Sequence, residues 1–581
     1  MKKHFLSFCT CLFLSLLAGN VMAQDVTEPS VPHANDPAWN KTSKNLQAAW
    51  GDTNLQTDKF ICPISSKLSK HLILTAWRGE RLHAKFLVWS GEEEGNLRFE
   101  VEEQEGCRWT DEQTTGFVRY VMTDELNKNG GGCGYRPDKT LFDSALVADR
   151  IEPMRTLRYE ARTVRPAWIT FDVPRDAVSG IYKGRIRVEC EGKECGVLPF
   201  TIRVIDRTMA LPEECKFHLD LWQNPFAVAR VANVPLWSRE HFEAMRPLMQ
   251  RLARAGQRGI TASITHKPEE ISRSGKPWNG QTYDYFENMI TEIKKADGTW
   301  MYDFTVFDRW VEFMQQCGVG PYIYCYSVIP WKLSFRYYDQ ATNSIVDKKM
   351  NVNKPEFDDY WVNKLSAFAT HLKAKGWFGH TIIAMDERPK ESMEAALRVI
   401  RKADPNYKIS LAGNYHAELE GELFDLCIAY DTQYPDGVVD ARRQQGKITT
   451  FYTCCTESWP NTFTFSQPVE ASAYGPIAAE RGLDGYLRWA YNSWVESPEV
   501  DTRFHTWAAG DTYIVYPDNQ SSVRFEKMVE GIQMFEKIQV LKQNPRYAKS
   551  IEKLLKPFAY KKINAATLGE DIKRLNAFLN K

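Results

Sequence analysis

The chain has 581 residues, with 74 Lys plus Arg against 74 Asp plus Glu. This length allows several domains, and a content of 43% hydrophobic and 25% charged residues is typical of folded globular proteins. Zero formal charge argues against a nucleic acid or an anionic bilayer as the partner, so we expect a neutral or zwitterionic ligand.

The amino terminus has the pattern of a cleavable export signal. Met1-Lys-Lys-His precedes an apolar run over 5–17, and Val21-Met22-Ala23 supplies a small-residue cleavage site. The run is too short to span a bilayer, and no later stretch of about 20 apolar residues follows. We expect segment 1–23 to be removed and the protein to be exported, periplasmic or secreted.

Short alternating strands predict an N-terminal β-sandwich over 24–210. Apolar and polar residues alternate in runs such as 81–89 and 184–190, and Gly and Pro turns separate these runs. Cys190 and Cys195 flank one turn and could form a hairpin disulfide. Cys454 and Cys455 are adjacent, which favours packed thiols.

After residue 210, apolar strands alternate with amphipathic helices, the pattern of parallel sheets with right-handed crossovers. Eight strands are predicted, at 216–222, 258–264, 321–328, 380–386, 408–412, 424–430, 447–453 and 484–490. They predict a (β/α)8 barrel of the TIM type over 211–540, followed by a C-terminal helical segment over 541–581. The expected fold class is multidomain, β followed by α/β.

The sequence between these strands predicts the limits of two helices and one long loop. Ser238 can cap a helix that Gly256 ends, and a second helix is expected to end at Gly376. The stretch 265–303 is too long for a simple connection and predicts an elaborated loop after the second strand. Such loops shape pockets.

Two consecutive carboxylates end the predicted fourth strand. Five residues from Thr381 are almost wholly apolar and lead into Asp386 and Glu387, and barrels of this kind carry their reacting groups at such strand ends. Most glycosidases need two carboxylates about 5 to 9.5 Å apart, which sequence neighbours rarely provide. The pair fits a substrate-assisted reaction, in which Asp386 holds the sugar's 2-acetamido N–H and Glu387 protonates the leaving oxygen.

A simpler interpretation is that Asp386 and Glu387 only begin the next helix, as caps before Pro389. Other strand ends offer candidate sugar contacts, and packing within the barrel is the competing interpretation for the aromatic ones. These candidates are Asp220, Trp222, Asn414, Tyr430 and Trp489. No metal or cofactor is expected, because the chain lacks Cys-x-x-Cys and His-Glu-x-x-His patterns. The absence of Gly-x-Ser-x-Gly argues against a serine hydrolase.

Six short motifs occur in order along the chain. They begin at Ala76 (AWRGER), His218 (HLDLWQNP), Lys375 (KGWF), Met385 (MDERP), Gly482 (GLDGYLRWA) and Gly510 (GDTYIVYP). As a set they resemble glycoside hydrolase family 123, exo-acting β-N-acetylgalactosaminidases with an N-terminal β-sandwich and a (β/α)8 catalytic domain. The resemblance implies Asp386 and Glu387 as the catalytic pair, an oxazoline mechanism with retention of the β configuration, and a galacto preference.

The leading hypothesis is therefore a hydrolase that releases terminal β-linked N-acetylgalactosamine from glycolipid or glycoprotein glycans. One alternative is a hydrolase of another β-hexosaminide. The other is a glycan-binding surface protein that uses the barrel only as a scaffold, because a fold alone does not determine function. Neither a nucleic acid partner nor a membrane span is expected.

Overall fold

The computed structural model describes residues 28–64, 68–104, 107–134, 136, 139–273, 276–279 and 283–581. The predicted export signal over 1–23 lies outside this part of the chain. None of the helices within these ranges combines the length and apolar character that crossing a bilayer requires.

Two sheets precede residue 210. Their strands are β1 (Gln47–Gly51), β2 (Leu72–Arg78), β3 (Arg81–Trp89), β4 (Gly95–Glu103), β5 (Gly116–Thr123), β6 (Ala145–Glu152), β7 (Thr156–Tyr159), β8 (Val164–Asp172), β9 (Gly180–Cys190) and β10 (Lys193–Thr208). One sheet contains β1-β3-β8-β5-β6 in that order, and the other contains β2-β10-β9-β4-β7. Phe86 of the first sheet and Phe99 of the second pack edge to face, 5.2 Å apart, in a shared apolar core.

The suggestion that Cys190 and Cys195 could form a hairpin disulfide is wrong, since both side chains are free thiols. Lys193, not Cys195, lies opposite Cys190 in the ladder, and a bulge follows between Glu194 and Gly196. The expectation for Cys455 is also wrong, because this residue forms a disulfide with Cys133. Its neighbour Cys454 is a free thiol.

Eight parallel strands form the centre of the second part. The strands after residue 210 are β11 (His218–Leu221), β12 (Gly259–Ser263), β13 (Glu270–Arg273), β14 (Lys276–Asn279), β15 (Thr291–Lys294), β16 (Trp300–Asp303), β17 (Tyr322–Tyr326), β18 (Ser334–Asp339), β19 (Ser344–Lys349), β20 (Thr381–Asp386), β21 (Lys408–Ala412), β22 (Asp425–Ala429), β23 (Ile448–Tyr452), β24 (Gly485–Arg488) and β25 (Ser521–Ser522). The parallel order is β11-β24-β23-β22-β21-β20-β17-β12, and a bridge between Leu219 and Gln257 joins its two edges. The sheet is thus a closed barrel, and each strand lies within two residues of its predicted limits.

Helices fill most connections of the barrel. They are α1 (Pro225–Ala232), α2 (Arg239–Arg254), α3 (Thr305–Gln316), α4 (Pro355–Lys375), α5 (Lys390–Ala403), α6 (Val438–Gln444), α7 (Pro468–Ser472), α8 (Tyr474–Arg481), α9 (Val523–Lys542), α10 (Pro545–Leu555) and α11 (Leu568–Leu579). As predicted, Ser238 caps α2 and Gly376 ends α4 in the left-handed conformation. The connection from β21 to β22 contains only a short 3-10 turn, so one α-helix of the ideal alternation is missing from this fully described segment.

The predicted elaborated loop after the second barrel strand is confirmed. It contains β13 to β16, and β15 and β16 join β18 and β19 in a separate sheet of order β16-β15-β18-β19. This sheet belongs to the connections that leave the carboxyl ends of β12 and β17. These connections extend the rim of the barrel at the carboxyl ends of its strands.

The chain after residue 520 returns to the N-terminal sheets. β25 pairs with β6 in antiparallel orientation and adds a sixth strand to the first sheet. On α9, the buried Glu526 accepts a 2.9 Å hydrogen bond from Arg81 of β3 and lies 3.5 Å from Arg251 of α2. The N-terminal sheets and the barrel are therefore connected by a strand and by a buried ionic cluster.

Candidate functional site

A cavity of about 710 Å³ opens at the carboxyl ends of the barrel strands. The residues that line it from strand ends are Trp222, Asp386, Glu387, Ala412, Tyr452, Leu487 and Trp489. Loops supply Cys133, Glu269, Trp331, Lys332, Cys454, Cys455, Thr456 and Trp507. This is the end of the barrel at which TIM-type enzymes carry their reacting groups.

The alternation of β20 explains why Asp386 faces the cavity. Ile383 and Met385 pack in the core between the barrel and its helices, whereas Ile382 and Ala384 pack inside the barrel. Asp386 continues the inward series because side chains alternate along a strand. The strand ends there, and the chain then brings Glu387 to the same cavity.

Gly413, just after β21, makes room for this turn. A Cβ atom at Gly413 would lie 3.0 Å from the Cα atom of Glu387. That distance is shorter than normal van der Waals contact, so a larger residue would push the backbone of Glu387 out of position.

Glu387 has a carboxyl group suited to carrying a proton. Tyr452 at the end of β23 donates a 2.6 Å hydrogen bond to its Oε1. The Glu387 side chain is exposed to the cavity, but the cavity walls shield its carboxyl group from bulk water. This burial, and then the charge of Asp386, raise the pKa of Glu387, whereas the Tyr452 hydrogen bond opposes the rise.

Arg388 points inward, toward Asp386. Its Nη1 lies 3.5 Å from Oδ2 of Asp386, its Nε donates to the carbonyl oxygen of Ile329, and its guanidinium group lies 3.9 Å from the ring centroid of Trp331. α5 begins only at Lys390, and no side chain caps it. Asp386 and Glu387 therefore do not serve as helix caps, and the simpler interpretation of this motif is wrong.

Glu269 is a third carboxyl group in the cavity wall. It follows β12, and its Oε2 accepts a 3.1 Å hydrogen bond from the indole of Trp331. Burial, followed by the negative charge of Asp386, raises the pKa of Glu269 to about 8. Sequence reasoning missed this residue because it lies within the long loop over 265–303, where no strand pattern distinguishes it from Glu270.

The structure brings together four of the seven residues predicted from strand ends. Asp386, Glu387, Trp222 and Trp489 line one cavity. Asp220 does not line it, since it lies two residues before Trp222 on β11 and one layer deeper in the barrel. There Asp220 is buried, and Gln257 donates a 3.4 Å hydrogen bond to it.

Asn414 and Tyr430 also lie outside the cavity lining. Asn414 is exposed beyond the end of β21. Tyr430 packs against Phe451 with ring centroids 6.1 Å apart, in the core between barrel and helices, because Cys427 and not Tyr430 has the inward parity on β22. The sugar contacts assigned to Asp220, Asn414 and Tyr430 remain predictions without support from the cavity.

Other lining residues were not predicted. Tyr452 could have been found, because it lies at the carboxyl end of the predicted strand 447–453 with inward parity. Trp331, Lys332 and Trp507 come from loops, for which periodicity gives no direction. Within the part of the chain that the structure describes, no group of three or more His, Cys, Asp or Glu side chains is arranged to hold a metal ion.

Comparison with known proteins gives matches to one family over both parts of the chain. The sequence model of the glycoside hydrolase 123 catalytic domain matches residues 222–541, and that of the glycoside hydrolase 123 N-terminal domain matches residues 50–190. No curated protein matches the chain.

One solved structure agrees in fold over nearly the whole chain. A family 123 glycoside hydrolase from Clostridium perfringens, described for its glycolipid glycan hydrolysis, aligns with a TM-score of 0.80 at 24% identity, over 92% of this chain and 98% of its own. A Bacteroides ovatus GH5 xyloglucanase aligns with a TM-score of only 0.28 at 8% identity, over 80% and 98% of the two chains, and supports no argument. Because the catalytic-domain match alone spans more than half of the sequence, the chain belongs to glycoside hydrolase family 123 and is a glycosidase.

Proposed function

We propose that this glycosidase is an exo-acting, retaining β-N-acetylgalactosaminidase whose substrate supplies its own nucleophile. The observation that carries the proposal is the pair of consecutive carboxyl groups, Asp386 and Glu387, in one cavity at the end of β20. Glu269 is poorly suited to act as an enzyme nucleophile, because its raised pKa keeps it neutral near pH 7. A nucleophile from the 2-acetamido group removes the need for one.

In the first step, the acetamido carbonyl oxygen attacks the anomeric carbon and the glycosidic bond breaks. Glu387 gives its proton to the departing oxygen, and Asp386 accepts a hydrogen bond from the acetamido N–H as positive charge develops on the oxazolinium ring. In the second step, Glu387 takes a proton from water, which opens the ring at the same carbon. Two inversions give net retention of configuration.

The cavity walls support a sugar ligand. Trp222, Trp331, Trp489 and Trp507 all line the cavity, and indole rings pack well against the apolar faces of pyranose rings. Cys133, which comes from the N-terminal part, also lines the cavity. A pocket bordered in this way favours a terminal sugar over the middle of a polysaccharide, which supports exo action.

Three finer features of the proposal come from other observations. The galacto preference rests on the family resemblance. A glycolipid substrate rests on the description of the similar Clostridium perfringens enzyme. Export to the periplasm or medium rests on the signal pattern over 1–23. For the N-terminal part, we also propose the β-sandwich arrangement, which the core shared by its two sheets supports.

The direct test is turnover of four aryl β-glycosides, those of N-acetylgalactosamine, N-acetylglucosamine, galactose and glucose. We expect fastest hydrolysis of the N-acetylgalactosaminide and none of the two sugars that lack the acetamido group. A stable thiazoline analogue of the oxazoline should inhibit competitively, because it resembles the intermediate. Hydrolysis of plain β-galactoside would refute the substrate-assisted mechanism, and binding without any turnover would indicate a non-catalytic glycan-binding protein.

A further inference from the structure

We propose that Glu269 is a positioning residue whose protonated carboxyl group donates a hydrogen bond to Asp386 and so fixes Asp386 toward the sugar's acetamido group. The inference rests on the proposed function, because it concerns the carboxylate which that function assigns to the acetamido N–H. It adds a third carboxyl group to a reaction that otherwise uses two.

The hydrogen bonds around Glu269 indicate where its proton resides. Its Oε2 accepts from the Trp331 indole. Its Oε1 is buried, and no N–H or O–H donor of the described residues lies within hydrogen-bonding distance. Asp386 lies close enough to Glu269 for its charge and a hydrogen bond between the two carboxyl groups to raise the pKa of Glu269. Two carboxyl groups can share a hydrogen bond only if one of them carries a proton, and Oε1 is the Glu269 oxygen left to carry it.

The local charges favour the same arrangement. Asp386, Glu387 and Glu269 share this side of the cavity with Arg388, whose Nη atoms lie 3.5 Å from Asp386 and 4.0 Å from Glu269. Three ionised carboxylates beside one guanidinium group would leave two uncompensated negative charges in a partly buried site, which is unfavourable. Burial and the Asp386 charge raise the pKa of Glu269 to about 8, so the Glu269 carboxyl group is neutral at pH 7.

Other titratable groups near Glu269 do not replace this proton. Lys332 lines the same cavity, but its Nζ pairs with Glu270 at 2.7 Å. Tyr326 at the end of β17 lines a small cavity of about 10 Å³ with Glu269, and burial raises the pKa of its hydroxyl group well above the usual value. The hydroxyl group of Tyr326 therefore stays neutral across the pH range in which Glu269 titrates.

Asp386 needs such a partner because its contact with Arg388 is long. A separation of 3.5 Å from Nη1 to Oδ2 provides attraction but is beyond normal hydrogen-bond distance. A hydrogen bond from Glu269 restricts the rotation of the Asp386 carboxylate. Catalytic groups lose much of their effect when their orientation is not held by a second layer of contacts.

The test compares Glu269→Gln and Glu269→Ala with the wild type on an N-acetylgalactosaminide that has a highly activated aryl leaving group. With this substrate, protonation by Glu387 is not limiting. Gln keeps a neutral donor, so we expect kcat within about threefold of the wild type, and we expect Ala to lower kcat about 10- to 100-fold, as for a lost hydrogen bond to a charged group. Activity of the wild type should fall above about pH 8, whereas Glu269→Gln should lose this alkaline limb because Gln cannot ionise.

Glu287→Gln is the matched control, since this acid lies in the same loop, contacts His266 and is outside the cavity lining. It should change neither kcat nor the pH profile. A merely structural role of Glu269 would lower the thermal midpoint without moving the alkaline limb. If Glu269→Gln loses as much activity as Glu269→Ala, or keeps the alkaline limb, the inference is wrong.

A measurement without substrate separates this inference from the proposed function. Infrared difference spectra between pH 6 and pH 9 should show protonated carboxyl bands from Asp220, Asp425 and Glu470, whose pKa values are raised to about 8, 7 and 7. The wild type should show one further band, which should be missing in Glu269→Gln. If the wild type hydrolyses no aryl hexosaminide, the proposed function fails and the infrared band alone decides whether Glu269 carries the proton. Identical spectra for wild type and variant would overturn the inference even if turnover is observed.

Discussion

The hydroxyl group of Tyr452 donates a 2.6 Å hydrogen bond to Oε1 of Glu387. The two residues lie at the ends of β23 and β20, which are separated in the barrel by β21 and β22. The bond therefore spans the mouth of the barrel. It stabilises the ionised form of Glu387 and lowers its pKa, against the larger effects of burial and of Asp386.

Replacing Tyr452 with Phe should raise the pKa of Glu387, because the substitution removes a hydrogen bond to the charged form. We expect the alkaline limb of kcat/KM on a substrate with a poor leaving group to move to higher pH. We also expect kcat to fall about 3- to 10-fold through lost orientation. Tyr338→Phe, at a surface tyrosine of β18, is the control. A limb that moves to lower pH would contradict the assigned hydrogen bond.

Asp386→Asn and Glu387→Gln should respond differently to the leaving group. Only Glu387 supplies the leaving-group proton, so Glu387→Gln should lose about 100-fold or more on a poor leaving group and much less on an activated one. Asp386→Asn should lose activity on both, because the acetamido group needs its partner whatever the leaving group. Initial rates on a series of aryl glycosides measure this, and equal leaving-group sensitivity of the two variants would refute the assignment.

Removing the Cys133–Cys455 disulfide should affect stability and substrate affinity together. The two residues are 322 positions apart and both line the cavity. Closing so long a loop stabilises the folded protein by about 2–5 kcal/mol, so the double Ser variant should unfold at lower temperature. Its KM should rise more than its kcat falls. Cys195→Ser, at a thiol of β10, should change neither, and an unchanged KM in the double variant would show that this wall does not contact substrate.

Glu526→Gln should lower the free energy of unfolding by about 3–5 kcal/mol, the range for removing one partner from a buried ionic cluster. Burial opposes ionisation, but Arg81, His83 and Arg251 together lower the pKa of Glu526 from 4.5 to about 2. This stabilisation is complete above about pH 4.5 and is lost as the pH falls toward 2. Thermal midpoints across pH 2 to 7 should therefore fall less for the variant than for the wild type. Glu570→Gln, on the surface of α11, is the control.

Asp220→Asn should make stability less dependent on pH. Burial, followed by the charge of Asp425, raises the pKa of Asp220 from 3.8 to about 8. The folded protein therefore holds a proton that the unfolded chain releases, and stability falls as the pH rises from about 4 to 8. In the variant, the thermal midpoint should fall less between about pH 4 and pH 8 than in the wild type. The KM of the variant should stay unchanged, since Asp220 is outside the cavity lining. A raised KM would instead support the prediction that Asp220 contacts the sugar.

The barrel could be predicted from sequence because its strands are short apolar runs with clear ends. Each of the eight runs has a strand at the expected place, and the carboxylates after the fourth run reach the cavity. Whether a given side chain points into the barrel or toward the helices was predicted less well. Parity along β22 places Tyr430 toward the helices, and this parity was already present in the sequence as the alternation of Cys427, Ile428 and Ala429.

The remaining features depend on contacts between distant segments. Glu269 and Trp331 meet Arg388 from different loops, and no local pattern specifies such an encounter. The same is true of Cys133 and Cys455, where the adjacent Cys454 gave no indication of which thiol would pair. Loop geometry and long-range cysteine pairing require the folded structure.

β25 has a consequence for how such a protein can change in evolution. Ser521 and Ser522 cover β6, which would otherwise be an open edge with unpaired N–H and C=O groups. A recombination event at residue 210 would leave the N-terminal sheets with that edge exposed and prone to aggregate, and would leave the barrel without the partner of its returning strand. The two parts are therefore constrained to be inherited as one unit, which fits with family matches on both sides of the boundary.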